Sequence, residues 1–127
     1  MVDKNVKLFL TIACIMMALA VAIGAFGAHG LKSIVEENLL KTYNTGVAYH
    51  FYNTLGLFAS CFIMFLKPNS KKALVASWLI LIGTIIFSFS LYLLVVLNMP
   101  ILGAITPIGG TLLIIAWILL AIAILKD

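Results

Sequence analysis

The chain has 127 residues, of which 65% are hydrophobic and 9% charged, with eight lysines, no arginine and a formal net charge of +4. A soluble domain of this size cannot bury that much apolar side chain, so the composition excludes a water-soluble globule and makes lipid the solvent. The lysines sit at the ends of apolar blocks and form no stripe along any element, which excludes a phosphate-tracking nucleic-acid surface.

Four blocks contain no charged residue: Leu8 to Ala28, Val47 to Leu66, Ala73 to Leu97 and Ile101 to Leu125. Each is long enough to cross a hydrocarbon core roughly 30 Å thick as a helix. The predicted fold is an all-α integral membrane protein, one domain of four transmembrane helices in a compact bundle. The spans are expected over 8–28, 47–66, 73–97 and 107–125.

The first block follows Lys4 and Lys7 and carries small residues near its end, the outline of a secretory signal. Its uncharged length exceeds the usual apolar core of such signals, about 7 to 15 residues, so it reads as a retained span. Ala20, Gly24 and Ala28 recur every fourth position and offer a smooth face for helix packing, within the bundle or between protomers.

Between the first two blocks, Gly30 is placed to close the first helix in a left-handed conformation, and Ser33 with Glu36 forms a capping-box pattern. A short amphipathic interfacial helix is therefore expected over 33–44. Val35, Leu39 and Tyr43 share one face, while Lys32, Glu36, Glu37 and Lys41 lie elsewhere. Asn44, Thr45 and Gly46 mark a bend into the second span.

On the second block, Gly46, His50, Asn53 and Ser60 fall along one helical face; on the third, Ser77, Thr84 and Ser88 do the same. In the last block, Thr106 reads as a helix N-cap and Pro107 as the first helical residue, where its missing N–H costs nothing. From Pro107 to Leu125 the helix would run roughly 28 Å, still a complete crossing. Gly109 and Gly110 follow as a backbone turn near the helix start, and Asn98 to Thr106 becomes a tight apolar connection.

Orientation follows from the lysines. Lys4, Lys7, Lys67, Lys71, Lys72 and Lys126 share one side, against Lys32 and Lys41 on the other, which places both termini in the cytoplasm. Trp78 then fits a cytoplasmic interfacial anchor, with Tyr43 and Tyr49 as anchors on the outer face.

Polar side chains within spans turn to the bundle interior because lipid cannot hydrogen-bond them. His29, His50, Asn53, Ser88, Tyr92 and Thr106 all fall in the outer half of the bilayer. They could line a polar pocket for a lipid head group or small anion, helped by the N-terminus of the last helix, or act as hydrogen-bonding glue between helices. Neither His lies in a paired ligand motif and no Asp or Glu stands in a span, so no metal site is expected. Cys14 and Cys61 lie at similar depth and read as small hydrophobes. No nucleophile motif, phosphate loop or cofactor fingerprint is present, so no enzyme and no cofactor is expected.

The segments GAFGAHG at Gly24 to Gly30, TGVAYHFYNTL at Thr45 to Leu55, FSFSLYLL at Phe87 to Leu94 and LGAITPIGG at Leu102 to Gly110 resemble the YgdD/YwdK-type small bacterial membrane proteins. That family has no established activity and has small eukaryotic transmembrane relatives. The resemblance implies a four-span protein of the bacterial cell membrane. His29, Thr45, Gly46, Tyr49, Ser88, Ser90, Leu91, Tyr92, Thr106, Pro107, Gly109 and Gly110 match its pattern. Three positions depart: the family commonly has Gln at His50, His at Asn53 and Gly at Phe89, and the last puts close backbone approach on the third helix in doubt.

The functional expectation is a non-enzymatic scaffold or accessory component of the membrane, with a transporter or a lipid- or anion-binding protein as the alternative. Its partners would be the bilayer, a second copy of itself, and a bound lipid or small anionic ligand.

Overall fold

The computed structural model describes residues 2–126. It contains helices α1 (Lys4–His29), α2 (Glu37–Leu66), α3 (Lys71–Thr84), α4 (Ser90–Val96) and α5 (Thr106–Lys126). A π-helical turn, Ile85–Phe89, joins α3 to α4 into one continuous span, and single 3-10 turns occupy Leu31–Ser33 and Pro100–Ala104. Among the described residues four helical stretches are long and apolar enough to cross a membrane: Lys4–Ser33, Glu37–Leu66, Lys71–Val96 and Pro100–Lys126.

The helix ends at the end of the bundle that holds Asp3 and Lys126 are set by local hydrogen bonds. Asp3 caps α1 by accepting from the Asn5 N–H at 3.1 Å, and Ser70 caps α3 by accepting from the Ala73 N–H at 3.1 Å. The ammonium of Lys67 reaches across to the end of α5 and donates to the carbonyls of Ala123 and Ile124 at 2.8 and 3.0 Å. Carbonyls at a helix C-terminus lack intrahelical partners, and a cation there also complements the helix dipole.

The connection between the first two spans differs from expectation. No separate interfacial helix forms over 33–44: Leu31–Ser33 is a 3-10 turn, and α2 begins at Glu37 and runs unbroken through Asn44, Thr45 and Gly46. The capping box is not made, because the Ser33 hydroxyl donates back to the Gly30 carbonyl at 3.3 Å. Gly30 is right-handed, with φ −82°. The helix expected at the interface is thus the outer end of a 30-residue α2, about 45 Å long, which overreaches the hydrocarbon core.

The second and third spans are the most enclosed, and the first and fourth flank them. Toward the end that holds Asp3 and Lys126 the core is apolar, built on Phe9, Ala13, Leu57, Ala76, Ile80 and Leu120. Trp78 stands at its edge with its ring 4.9 Å edge-on to Phe9. A second cluster toward the outer end is built on Leu31, Tyr43, Tyr92 and Val95. Tyr43 is therefore 2% exposed, not an interfacial anchor. Its ring lies over Gly27 of α1, and its hydroxyl donates to the Ile23 carbonyl at 2.6 Å.

Close helix contact depends on glycines. On α1 the contact line runs through Ala13, Met16, Ala20 and Gly27, while Gly24 is only partly covered and Ala28 faces outward. The physical reason is helical pitch: a strict every-fourth repeat drifts by about 80° between Ala20 and Ala28, so the third member leaves the contact face. On the third span, Phe89 does not prevent close approach, because the glycines come from the neighbours. Gly109 of α5 lies against the backbone of Gly83 and Phe87, and Gly46 of α2 against Tyr92 and the Ser88 carbonyl.

Candidate functional site

The buried face of α2 carries Tyr43, Gly46, His50, Asn53, Thr54, Gly56, Leu57, Ser60, Cys61 and Met64. Spacings of three and four keep these on the inner side. α2 is the least apolar of the four spans, and its polar side chains find partners on every neighbouring helix.

His50 is wholly enclosed, and its Nδ1 lies 2.8 Å from the Tyr92 hydroxyl of α4. Either group can be the donor, depending on the His tautomer. Phe89 and Tyr92 pack their rings against the imidazole, with centroids 5.6 and 6.0 Å away. Among the described residues, no partner meets hydrogen-bond geometry at its Nε2 or at the buried hydroxyls of Thr54 and Ser88. Ser90 and Thr106 share a 2.6 Å hydrogen bond that ties α4 to the first turn of α5. Deeper along α2, Ser77 Oγ donates to Ser60 Oγ at 2.9 Å.

Asn53 points elsewhere. Its Nδ2 donates to the Tyr49 carbonyl at 2.9 Å, and its Oδ1 accepts from the indole N–H of Trp117 on α5 at 3.3 Å. The indole lies on the bare backbone of Gly56, close enough that a methyl group there would overlap the ring. Next to this pair a cleft of about 390 Å³ opens sideways between α2, the π turn and α5, bordered by Tyr49, Phe87 and Gly110.

The six polar residues expected to line one pocket are thus distributed differently. His50 and Tyr92 form one pair. Ser90 takes Thr106, Trp117 takes Asn53, Ser88 is buried behind Gly46, and His29 is exposed on the last turn of α1. α5 begins at Thr106, whose side chain serves Ser90 rather than capping the helix, and the Ile108 N–H is taken by the Ile105 carbonyl of the preceding turn. Pro107, Gly109 and Gly110 all lie in the first turns of α5, at the helix N-terminus. A larger cleft of about 480 Å³ lies at the outer mouth, near Phe26, Leu39 and Val96; the charged group on its wall is the Glu36 carboxylate, the wrong sign for an anion.

Among the described residues no three His, Cys, Asp or Glu side chains converge as metal ligands. Cys14 is exposed on α1 and Cys61 buried on α2, and both are free thiols. Trp117 and Gly27 organise the site and were not singled out from the sequence, and Tyr43 was read there only as an interfacial residue. A signal for Trp117 existed: it stands about 16 Å along α5 from Thr106, whereas Trp prefers the membrane interface, so its indole N–H needs a partner in the bundle.

A family model described as "Protein of unknown function (DUF423)" matches residues 23–110. The UPF0382 membrane protein YwdK of Bacillus subtilis is 43% identical over 120 residues, covering 94% of this chain and 98% of that protein. The UPF0382 membrane proteins SAB0533 of Staphylococcus aureus and SERP0230 of Staphylococcus epidermidis are 42% and 40% identical, each alignment covering 94% of this chain and 97% of the relative. This chain belongs to the UPF0382 (DUF423) family of membrane proteins. No solved structure matches it. The DUF423 match spans the last two turns of α1 through Gly110, and so includes the Tyr43, His50–Tyr92 and Ser90–Thr106 contacts as well as Gly109.

Proposed function

We propose that this protein is a non-enzymatic, multi-pass scaffold or accessory component of the bacterial cell membrane, with both termini and the Lys67–Lys72 loop in the cytoplasm. The observation that carries this reading is the use made of the intramembrane polar side chains. Tyr43 with the Ile23 carbonyl, His50 with Tyr92, Asn53 with Trp117 and Ser90 with Thr106 each join two different spans. Bonds of this kind are interhelical glue, worth on the order of 1 kcal/mol each in a membrane. A hydrolytic or transfer enzyme needs a nucleophile beside a base with access for substrate. His50, the one histidine inside a span, is enclosed by aromatic rings instead.

With the polar groups turned inward, the flanks of α1 and α5 present Leu19, Val21, Ile115, Ile118 and Ile122 outward. Such faces suit lipid, a second copy of the chain or an apolar partner subunit. The test is native mass spectrometry and blue-native electrophoresis of protein extracted at natural abundance into lipid nanodiscs. A homo-oligomer or a complex with a partner in fixed ratio is expected, and it should survive in His50→Leu. Bare monomer throughout would overturn the reading.

A further inference from the structure

We propose that the cleft between α2, the π turn and α5 is a binding site for an uncharged, flat, membrane-soluble ligand bearing carbonyl acceptors, of the quinone class. This does not rest on the scaffold reading. Four observations carry it.

First, the cleft volume, about 390 Å³, falls within the range of small-molecule sites, roughly 300 to 1,000 Å³. It opens sideways among lipid-facing residues, so a ligand would enter from the bilayer. No lining residue is charged, which selects a neutral molecule.

Second, the wall is aromatic. The rings of Tyr49 and Phe87 pack against each other, centroids 4.8 Å apart and planes tilted by 35°, and the Trp117 indole borders the same space, so three aromatic side chains line the cleft. Offset stacking on such a surface favours a planar ring over a branched chain.

Third, the polar group at depth has spare capacity. Asn53 is 7% exposed and lies 16 residues along α2 from Glu37, about 24 Å from that end of the helix and within its charge-free stretch. Its Nδ2 carries two hydrogens, of which one goes to the Tyr49 carbonyl. The Trp117 N–H reaches Oδ1 only at 3.3 Å, on the long side for N–H···O. A ligand carbonyl could take the second Asn53 N–H and draw the indole N–H to itself.

Fourth, the two glycines around the cleft differ. Gly56 is required for packing, since any side chain would strike the indole of Trp117. Gly110 is not: a Cβ there would meet only the Phe87 ring at 3.6 and 3.7 Å, ordinary contact, and would occupy cleft space. A glycine that packing does not require weakens a helix relative to Ala, so an open cleft is the gain it brings.

The test is a titration of ubiquinone-2 into nanodiscs holding the full chain with Trp78→Phe, reading Trp117 emission. Saturable quenching is expected, with an apparent Kd at least tenfold weaker in Gly110→Leu and unchanged thermal unfolding. Gly110→Ala, which the packing tolerates, should weaken binding by a smaller factor and serves if the Leu variant fails to fold. Quenching that rises linearly with quinone and is the same in all variants would mean collision within the lipid, and would overturn the site. So would native mass spectrometry showing a retained phospholipid that ubiquinone-2 does not displace.

Discussion

Gly56 of α2 and Trp117 of α5 meet so closely that the indole rests on bare backbone, with its N–H directed to Asn53 one turn away. Gly56→Ala should therefore push the indole outward and break the Asn53 contact. Overpacking of this kind costs about 1–3 kcal/mol, because neither helix can yield without disturbing its other neighbours. A lowered Tm in nanodiscs together with a shifted Trp117 emission maximum, read in a Trp78→Phe background, would bear this out.

Adjacent glycines on α5 should respond in opposite ways. A methyl group on Gly109 would overlap the Phe87 amide and the Gly83 carbonyl, backbone atoms that cannot rotate aside. Gly109→Ala is expected to destabilise by about 2 kcal/mol or more. Gly110→Ala meets only ordinary contact and gains helix propensity, so its Tm should stay level or rise, by about 0.4–1 kcal/mol equivalent. Equal losses at both positions would contradict the backbone crossing described here.

Tyr92→Phe removes the one hydrogen bond of an enclosed imidazole and should cost about 1–3 kcal/mol, the penalty of an unsatisfied buried group. Replacing both partners, with His50→Leu and Tyr92→Phe, should cost less than the sum of the single changes. A double-mutant cycle by thermal unfolding measures the coupling, expected near 1 kcal/mol. Strict additivity would show that the pair does not interact.

Lys67→Met keeps the apolar stem but removes the ammonium from the Ala123 and Ile124 carbonyls. The expected loss is about 0.3–1 kcal/mol. Hydrogen exchange should show faster opening confined to the last turns of α5, with α2 unchanged.

Orientation has its own test on a Cys-free background. A cysteine at position 69 should react with a membrane-impermeant maleimide only after permeabilisation, and one at position 32 should react in intact cells, following the lysine asymmetry. The reverse labelling would invert the topology.

The four spans and the inward turn of their polar residues were legible in the sequence, because charge-free length and lipid's inability to hydrogen-bond leave few alternatives. The partners of those residues were not. Asn53 and His50 share a face in any helical projection, yet one meets α5 and the other α4, since three residues rotate a side chain by about 300° and neighbouring helices divide that arc. The capping pattern at Ser33 and Glu36 is equally suited to a helix start, but the 3-10 turn after α1 takes the Ser33 hydroxyl and delays α2 to Glu37. Trp117 escaped notice because an indole within an apolar block looks like core until its donor is counted.

The π turn at Ile85–Phe89 gives the third span two rotational phases. One extra residue in that turn sets everything outward of it about 100° away from where an uninterrupted helix would carry it. The Lys71–Thr84 half of the span is thus phased to the apolar core, and the Ser90–Val96 half independently to His50 and Thr106. A change of one residue in length within 85–89 would reassign every outer-half contact while leaving Lys71–Thr84 in register. In this bundle the spacing of the polar layer is written in chain length as much as in residue type.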